Sequence, residues 1–301
     1  MLITLPRMMA EAADGLDDSE FLLYDHGDPL DPRLEETTFL VPSYMTARAQ
    51  LPMSAQMPRL KVVQLLTAGF DGIPELLPPG VTLCNAKGVH DASTAELAVG
   101  LALASVRGLD GFARSQMAGR WERVFRPSLA DRTVLLLGYG SIGSAIEDRL
   151  RPFEVEIVRV AHHARLVPAV FSIEELPRLL PRADVVILIL PLTAETRHLV
   201  DDSFLSMMKE GASLVNVARG PIVDTDALFR HLEQGRIRAA LDVTDPEPLP
   251  EGHPLWAAPN CLISPHVGGD TTAFKPRGLE LLRRNIDRYR ASLPLLNVVR
   301  H

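Results

Sequence analysis

Residues 134–165, VLLLGYGSIGSAIEDRLRPFEVEIVRVAHHAR, constrain this chain more than any other stretch. An apolar run enters Gly138, Gly140 and Gly143, spaced as G-x-G-x-x-G, and is followed by helical spacing and a second strand-like run, VEIVRV, at 155–160. A strand, a glycine turn and a helix in that order present backbone amides and the positive end of a helix to a pyrophosphate. The turn is therefore expected to hold a dinucleotide, with Ser141 and Ile142 beneath its phosphates. Glycine spacing alone also serves tight turns with no ligand; the flanking strand, helix and second strand make the cofactor expectation.

The same alternation runs through the rest of the chain. Short β-rich runs, KVVQLL (61–66), TVLLLG (133–138), DVVILIL (184–190), ASLVNV (212–217) and CLIS (261–264), are separated by stretches with helical spacing. Several are apolar on both faces, as a parallel sheet covered by helices on each side requires. Residues 93–120 read as one long helix, with Ser93 and Glu96 spaced as a capping box, and residues 274–292 as a closing helix. No repeat of 20 to 50 residues is evident.

Size and charge narrow the function classes. A chain of 301 residues, 47% hydrophobic and 23% charged, can bury a sizeable core and favours two domains over one. A formal charge of −7 without a dense basic run argues against a nucleic-acid partner. Cys84 and Cys261 are too few and too distant for a zinc motif or disulfide framework, which fits a reducing, cytoplasmic setting. The N-terminal residues look like a first strand rather than a signal peptide, and no run reaches the length of a membrane span. No carboxylate–histidine group has metal spacing, so no metal is expected.

The end of the second strand bears on which dinucleotide. An NAD site usually places Asp or Glu there to accept from the ribose hydroxyls, and that carboxylate repels a 2′-phosphate. Ala161 stands in that place, and His162, His163 and Arg165 follow. They offer donors and positive charge to a 2′-phosphate, so NADP(H) is favoured over NAD(H). The alternatives are an ordinary polar loop or a ribose held by some other acid.

Further motifs in order, TAGFD (67–71), TAELAVGLAL (94–103), LPLTAETRHLV (190–200), VNVARG, EPLP and SPHVGG, resemble the D-isomer-specific 2-hydroxyacid dehydrogenase family over nearly the whole chain. The resemblance implies an α/β protein: a doubly wound, Rossmann-type parallel-sheet cofactor domain at residues 93–273, inserted in a smaller flavodoxin-like substrate domain of residues 1–92 and 274–301. It also implies a homodimer, with much of the interface near residues 94–120. The family's catalytic Arg, acid and His map onto Arg219, Glu247 and His266. Their chemistry suits reduction of a small 2-oxo acid to the D-2-hydroxy acid. Charge builds on the carbonyl oxygen as hydride reaches C2, so an acid must supply a proton, and His266 suits that task near neutrality. Glu247 on the other ring nitrogen would favour imidazolium, and Arg219 can grip carboxylate and carbonyl together.

Matching positions imply further contacts. The backbone of Thr67, Ala68 and Gly69 would meet the substrate carboxylate. Thr94, Pro191, Thr196, Val217, Ala218, Asp242 and Gly268 would surround the cofactor, with Asp242 either meeting the nicotinamide amide or serving as a strand-end turn residue. Phosphite-oxidising relatives carry Lys in place of Ala68 and formate-oxidising ones Gln in place of Glu247, so neither activity is expected. The segment VTDPEPLPEGHPLW resembles the glyoxylate and hydroxypyruvate reductase branch. A short-form phosphoglycerate dehydrogenase and a cofactor-sensing scaffold remain as alternatives.

Overall fold

The computed structural model describes residues 1–299. Five strands come first: β1 (Leu2–Leu5), β2 (Phe21–Leu23), β3 (Thr37–Leu40), β4 (Val62–Gln64) and β5 (Thr82–Cys84). Helices α1 (Asp91–Arg107) and α2 (Leu109–Met117) follow, then β6 (Thr133–Leu137), α3 (Ser141–Leu150), β7 (Glu156–Ala161), β8 (Phe171–Ser172) and β9 (Val185–Leu188). Next are α4 (Asp202–Met207), β10 (Ser213–Asn216), α5 (Thr225–Glu233), β11 (Arg238–Leu241), β12 (Cys261–Ile263) and the closing α6 (Phe274–Arg290). The chain divides into two compact units, Asp91–Thr271 and the flanking Met1–His90 with the chain from Thr272 onward. Each boundary falls two residues before the one expected at 92/93 and 273/274.

The inserted unit holds a seven-stranded sheet in the order β12-β11-β10-β9-β6-β7-β8, every pairing parallel. Strand order reverses between β6 and β9, so the two halves wind in opposite directions and leave a crevice at the carboxyl ends of those strands. Both faces are covered, and the side-chain alternation shows it. Leu135, Leu137, Val186, Leu188 and Leu214 enter one core cluster, while Val134, Leu136, Val185, Ile187 and Val215 enter the other. Each of these side chains is at most 1% exposed, which is why the strands read as unbroken apolar runs. α1 and α3 close the second face.

The flanking unit carries a five-stranded parallel sheet in the order β2-β1-β3-β4-β5. Two clusters again cover its faces, one containing Ile3, Leu5, Phe39 and Val62 with Phe274, Leu282 and Ile286 of α6, the other Leu2, Leu40, Val63 and Leu83. The buried amide of Asn285 donates to Gln64 Oε1 at 2.6 Å, so α6 is tied to the end of β4, an inner strand of the sheet.

The long helix expected over 93–120 is two helices. Gly108 adopts the left-handed region, φ +63°, where the chain bends between α1 and α2, and a Cβ there would lie 2.8 Å from Arg126 Nε. Ser93 does not cap it either. The helix begins at Asp91, whose acidic side chain suits the first turn, and the Ser93 hydroxyl bonds to that of Thr271 at 2.7 Å.

Candidate active site

At the reversal of strand order the glycine turn lies flush against the end of β9. Gly138 has φ +106°, and a Cβ there would come within 2.5 Å of the Ile189 carbonyl and 2.8 Å of Leu190 N. Gly143 removes a second obstacle, since its Cβ would meet the Gly138 carbonyl oxygen at 2.6 Å. α3 therefore starts directly on the turn, with Gly140 at its N-cap and no side chain capping its first amides. Uncapped amides at the positive end of a helix, beside a turn with no side chains to fill it, fit a pyrophosphate. Ser141 and Ile142 occupy the first helical turn.

Ala161 ends β7, and the loop after it carries His162, His163 and Arg165, all exposed. The two imidazoles meet edge to face, 4.4 Å between centroids. Arg165 Nη2 donates to the carbonyl oxygen of Tyr139, inside the glycine turn, at 2.8 Å. The loop is thus folded back toward the cradle.

Arg219 follows β10, in a turn that Asn216 builds. The Asn216 amide donates to the Arg219 carbonyl at 3.0 Å and accepts from Ala218 N at 3.0 Å. Gly220 then runs against the chain after β11, where a Cβ would sit 1.8 Å from the Thr244 carbonyl oxygen. No side chain fits there. The contact brings the Arg219 turn alongside the segment that leads to Glu247.

His266 Nδ1 and Glu247 Oε1 are 2.5 Å apart. The hydrogen bond that His266 donates to Glu247, opposed by burial, raises the histidine pKa above its usual value; the Glu247 charge adds to the rise, Arg219 works against it and Asp242 supports it. Burial alone would push the Glu247 carboxyl up, yet the His266 hydrogen bond and charge hold it below the usual carboxylate range. The pair therefore favours imidazolium beside carboxylate. Nε2 of His266 has no partner among the described residues and is free to present a proton.

His266 itself stands in the left-handed region, φ +53°, in a turn clamped by Asp242. That aspartate is 3% exposed. Its Oδ1 accepts from Ser264 Oγ at 2.6 Å and Val267 N at 3.0 Å, and its Oδ2 from Gly268 N at 2.9 Å. Its main-chain oxygen accepts from His266 N at 2.7 Å. A Cβ on Gly268 would lie 3.1 Å from Oδ2, and the Gly268 carbonyl accepts from Thr94 Oγ1 at 3.3 Å.

Other expected positions line the carboxyl ends of the same sheet. Pro191 and Thr196 form the turn after β9, where Thr196 Oγ1 donates to the Pro191 carbonyl at 2.8 Å, and Val217 and Ala218 follow β10, both buried. Thr67, Ala68 and Gly69 belong to the flanking unit. There the Asn85 amide donates to the Ala68 carbonyl at 2.8 Å and Thr67 Oγ1 to the Gly69 carbonyl at 2.8 Å. Sequence reasoning missed Asn216, Gly220 and Ser264, although the first two flank Arg219 within one short motif. No group of three or more His, Cys, Asp or Glu among the described residues is placed to hold a metal ion, and no helix among them is long and apolar enough to cross a membrane.

Comparison with known proteins agrees with this architecture. Residues 99–268 match the family model for the D-isomer specific 2-hydroxyacid dehydrogenase NAD-binding domain. A glyoxylate reductase of Thermofilum pendens is 37% identical over 243 residues, 76% of this chain and 71% of that protein. The crystal structure of a D-isomer specific 2-hydroxyacid dehydrogenase from Xanthobacter autotrophicus Py2, in complex with NADPH and MES, superposes with a TM-score of 0.83 at 30% identity, covering 99% of this chain and 97% of that one. An NADPH-dependent glyoxylate/hydroxypyruvate reductase from Sinorhizobium meliloti gives 0.85 at 27% identity, over 99% and 97% of the two chains. With the family model spanning more than half of its length and a 37% identical relative spanning 76% of it, this chain belongs to the D-isomer specific 2-hydroxyacid dehydrogenase family.

Proposed function

We propose that the protein is an NADP(H)-preferring reductase of a small 2-oxo acid of the glyoxylate or hydroxypyruvate kind. The observation that carries this is the His266–Glu247 pair, 2.5 Å apart, with Arg219 near enough to oppose its protonation. A bound nicotinamide supplies hydride to C2 of the substrate. His266 gives its Nε2 proton to the carbonyl oxygen as charge builds there, and Glu247 keeps the ring charged and oriented until it does. Arg219 holds carboxylate and carbonyl so that C2 faces the donor. The substrate carboxylate is assigned to the backbone of Thr67, Ala68 and Gly69. The glycine turn with Ser141 and Ile142 is assigned the pyrophosphate, and Thr94, Pro191, Thr196, Val217, Ala218, Asp242 and Gly268 the surroundings of the rest of the cofactor.

The preference for NADP(H) is supported by Ala161, which leaves no acid at the end of β7, and by His162, His163 and Arg165 beyond it. Initial rates with glyoxylate and hydroxypyruvate, NADPH against NADH, test it in the wild type and in Ala161→Asp. Faster turnover with NADPH, shifting toward NADH in the variant, is expected. Equal rates, or NADH preference in the wild type, overturn the cofactor assignment, and absence of turnover with either cofactor overturns the substrate assignment.

A homodimer is part of the same reading. Met117, the last residue of α2, and Trp121 and Phe125 just beyond it are almost wholly exposed, and large apolar side chains left in solvent so close together in sequence support an association surface. Sedimentation at micromolar concentration is expected to show a dimer for the wild type and a monomer for the Trp121→Ser, Phe125→Ser double variant. An unchanged sedimentation coefficient sinks this assignment.

A further inference from the structure

Tyr139 fills the first variable place of the glycine turn, between Gly138 and Gly140, where backbone conformation is the general requirement. Its side chain is fixed from below. The hydroxyl donates to Glu147 Oε2 at 2.8 Å, and Glu147 is 2% exposed. Arg159 of β7 donates to the two Glu147 oxygens through Nε and Nη2, each at 2.5 Å, and Arg151 Nη2 adds a fourth bond to this carboxylate at 2.9 Å. A buried carboxylate is tolerable only when paired and hydrogen-bonded, and this one is both.

The ring in turn carries two guanidinium groups, those of Arg159 and Arg165, each 5.6 Å from its centroid. Their charges differ in kind. Arg159 is matched by Glu147, whereas Arg165 has no carboxylate partner among the described residues and instead donates to the Tyr139 carbonyl. Reciprocal main-chain bonds between Arg165 and Val170, 2.9 and 2.8 Å, pin the backbone of its loop. An arginine on an exposed loop ordinarily spreads over many rotamers, and that freedom opposes binding. Here it is held at the glycine turn, four residues beyond Ala161.

We infer that Tyr139 is a specificity-determining positioning residue: its ring face and carbonyl hold Arg165 ready for the 2′-phosphate of the adenosine ribose, and the Arg159–Glu147 pair keeps the ring in place. The inference rests on the NADP(H) reading above. It makes discrimination depend on an aromatic side chain at 139 as well as on the arginine.

Calorimetric affinities of the full-length protein for 2′,5′-ADP and 5′-AMP test it, because their ratio reads the 2′-phosphate alone. The wild type is expected to favour 2′,5′-ADP by about tenfold or more. Tyr139→Leu, which keeps apolar bulk but removes the ring, lowers the ratio by roughly tenfold while 5′-AMP affinity stays within about twofold. Tyr139→Phe keeps ring and carbonyl and retains most of the ratio. Arg165→Gln adds little further loss in the Tyr139→Leu background, as coupled residues require. Tyr139→Met is a second aromatic-free variant if Tyr139→Leu does not fold, with the same ratio expected. A wild-type ratio near one removes the cofactor reading and this inference with it. A high wild-type ratio that survives loss of the ring leaves the cofactor reading standing and overturns the role of Tyr139. Equal weakening of both probes means a structural role only, and also overturns it.

Discussion

At the scale of single residues, the site depends on one histidine held in an unusual backbone conformation. Left-handed φ is uncommon for a residue other than glycine, and Asp242 holds His266 there with four accepted hydrogen bonds around one short turn. The same turn leaves Nδ1 for Glu247, and Nε2 is the atom assigned to the substrate in the proposed function. In the proposed mechanism reduction consumes a proton from His266, so its rate is expected to be full below the histidine pKa and to fall as pH rises through it. Glu247 raises that pKa, so Glu247→Gln is expected to move the alkaline limb of kcat/KM for reduction to lower pH. At pH 8 the loss should be on the order of 10². A pH profile superimposable on that of the wild type would show that Glu247 does not set the protonation of His266.

At the scale of elements, what brings Arg219 to this pair is a close approach of two main chains. Gly220 touches the chain after β11 so tightly that no Cβ can enter, so Gly220→Ala must displace one backbone or the other. Thermal unfolding should report a loss of about 1–3 kcal/mol. The accompanying shift of Arg219 should lower kcat/KM by roughly 10². A variant that melts and turns over like the wild type would mean that the approach is dispensable. Contacts of this sort explain what could be read in advance. β6, β9 and β10 were legible because both faces are buried, so their central residues, Val134–Leu137, Val185–Leu188 and Leu214–Val215, are all apolar. The glycine turn, Arg219, Glu247 and His266 stood out as motif residues. The break between α1 and α2 did not, since Gly100 lies within α1 without interrupting it, whereas Gly108 bends the chain. The difference is the backbone, since Gly108 alone of the two takes a left-handed φ, with the Arg126 side chain lying where a Cβ would be. Asp242 was readable as a strand-end residue, but its grip on three successive positions after Ser264 depends on β11 and β12 lying side by side, which local spacing does not encode.

At the scale of the whole molecule, insertion of one unit into another has a physical consequence. The seven strands of the larger sheet all come from residues within Asp91–Thr271, and both of its core clusters draw only on that segment. Among the described residues, those of both clusters all lie within Asp91–Thr271, so the hydrophobic burial seen for this sheet lies within a continuous stretch of chain. The flanking unit is built otherwise. Its core needs Phe274, Leu282 and Ile286 from α6, and Glu11 and Asp14 near its start are paired with Lys275 and Arg283 near its end, at 2.7 and 3.0 Å. A fragment of residues 91–271 is therefore expected to fold alone and unfold in one cooperative transition. Because the uncapped start of α3 and the loop of Arg165 lie within it, 2′,5′-ADP at a hundredfold excess over its Kd should stabilise the fragment by about 2.7 kcal/mol. In calorimetry that is a rise in Tm of roughly 5–10 °C. A fragment without a cooperative transition would show that the larger sheet depends on the flanking unit, and one that melts cooperatively but ignores the nucleotide would place the adenosine elsewhere.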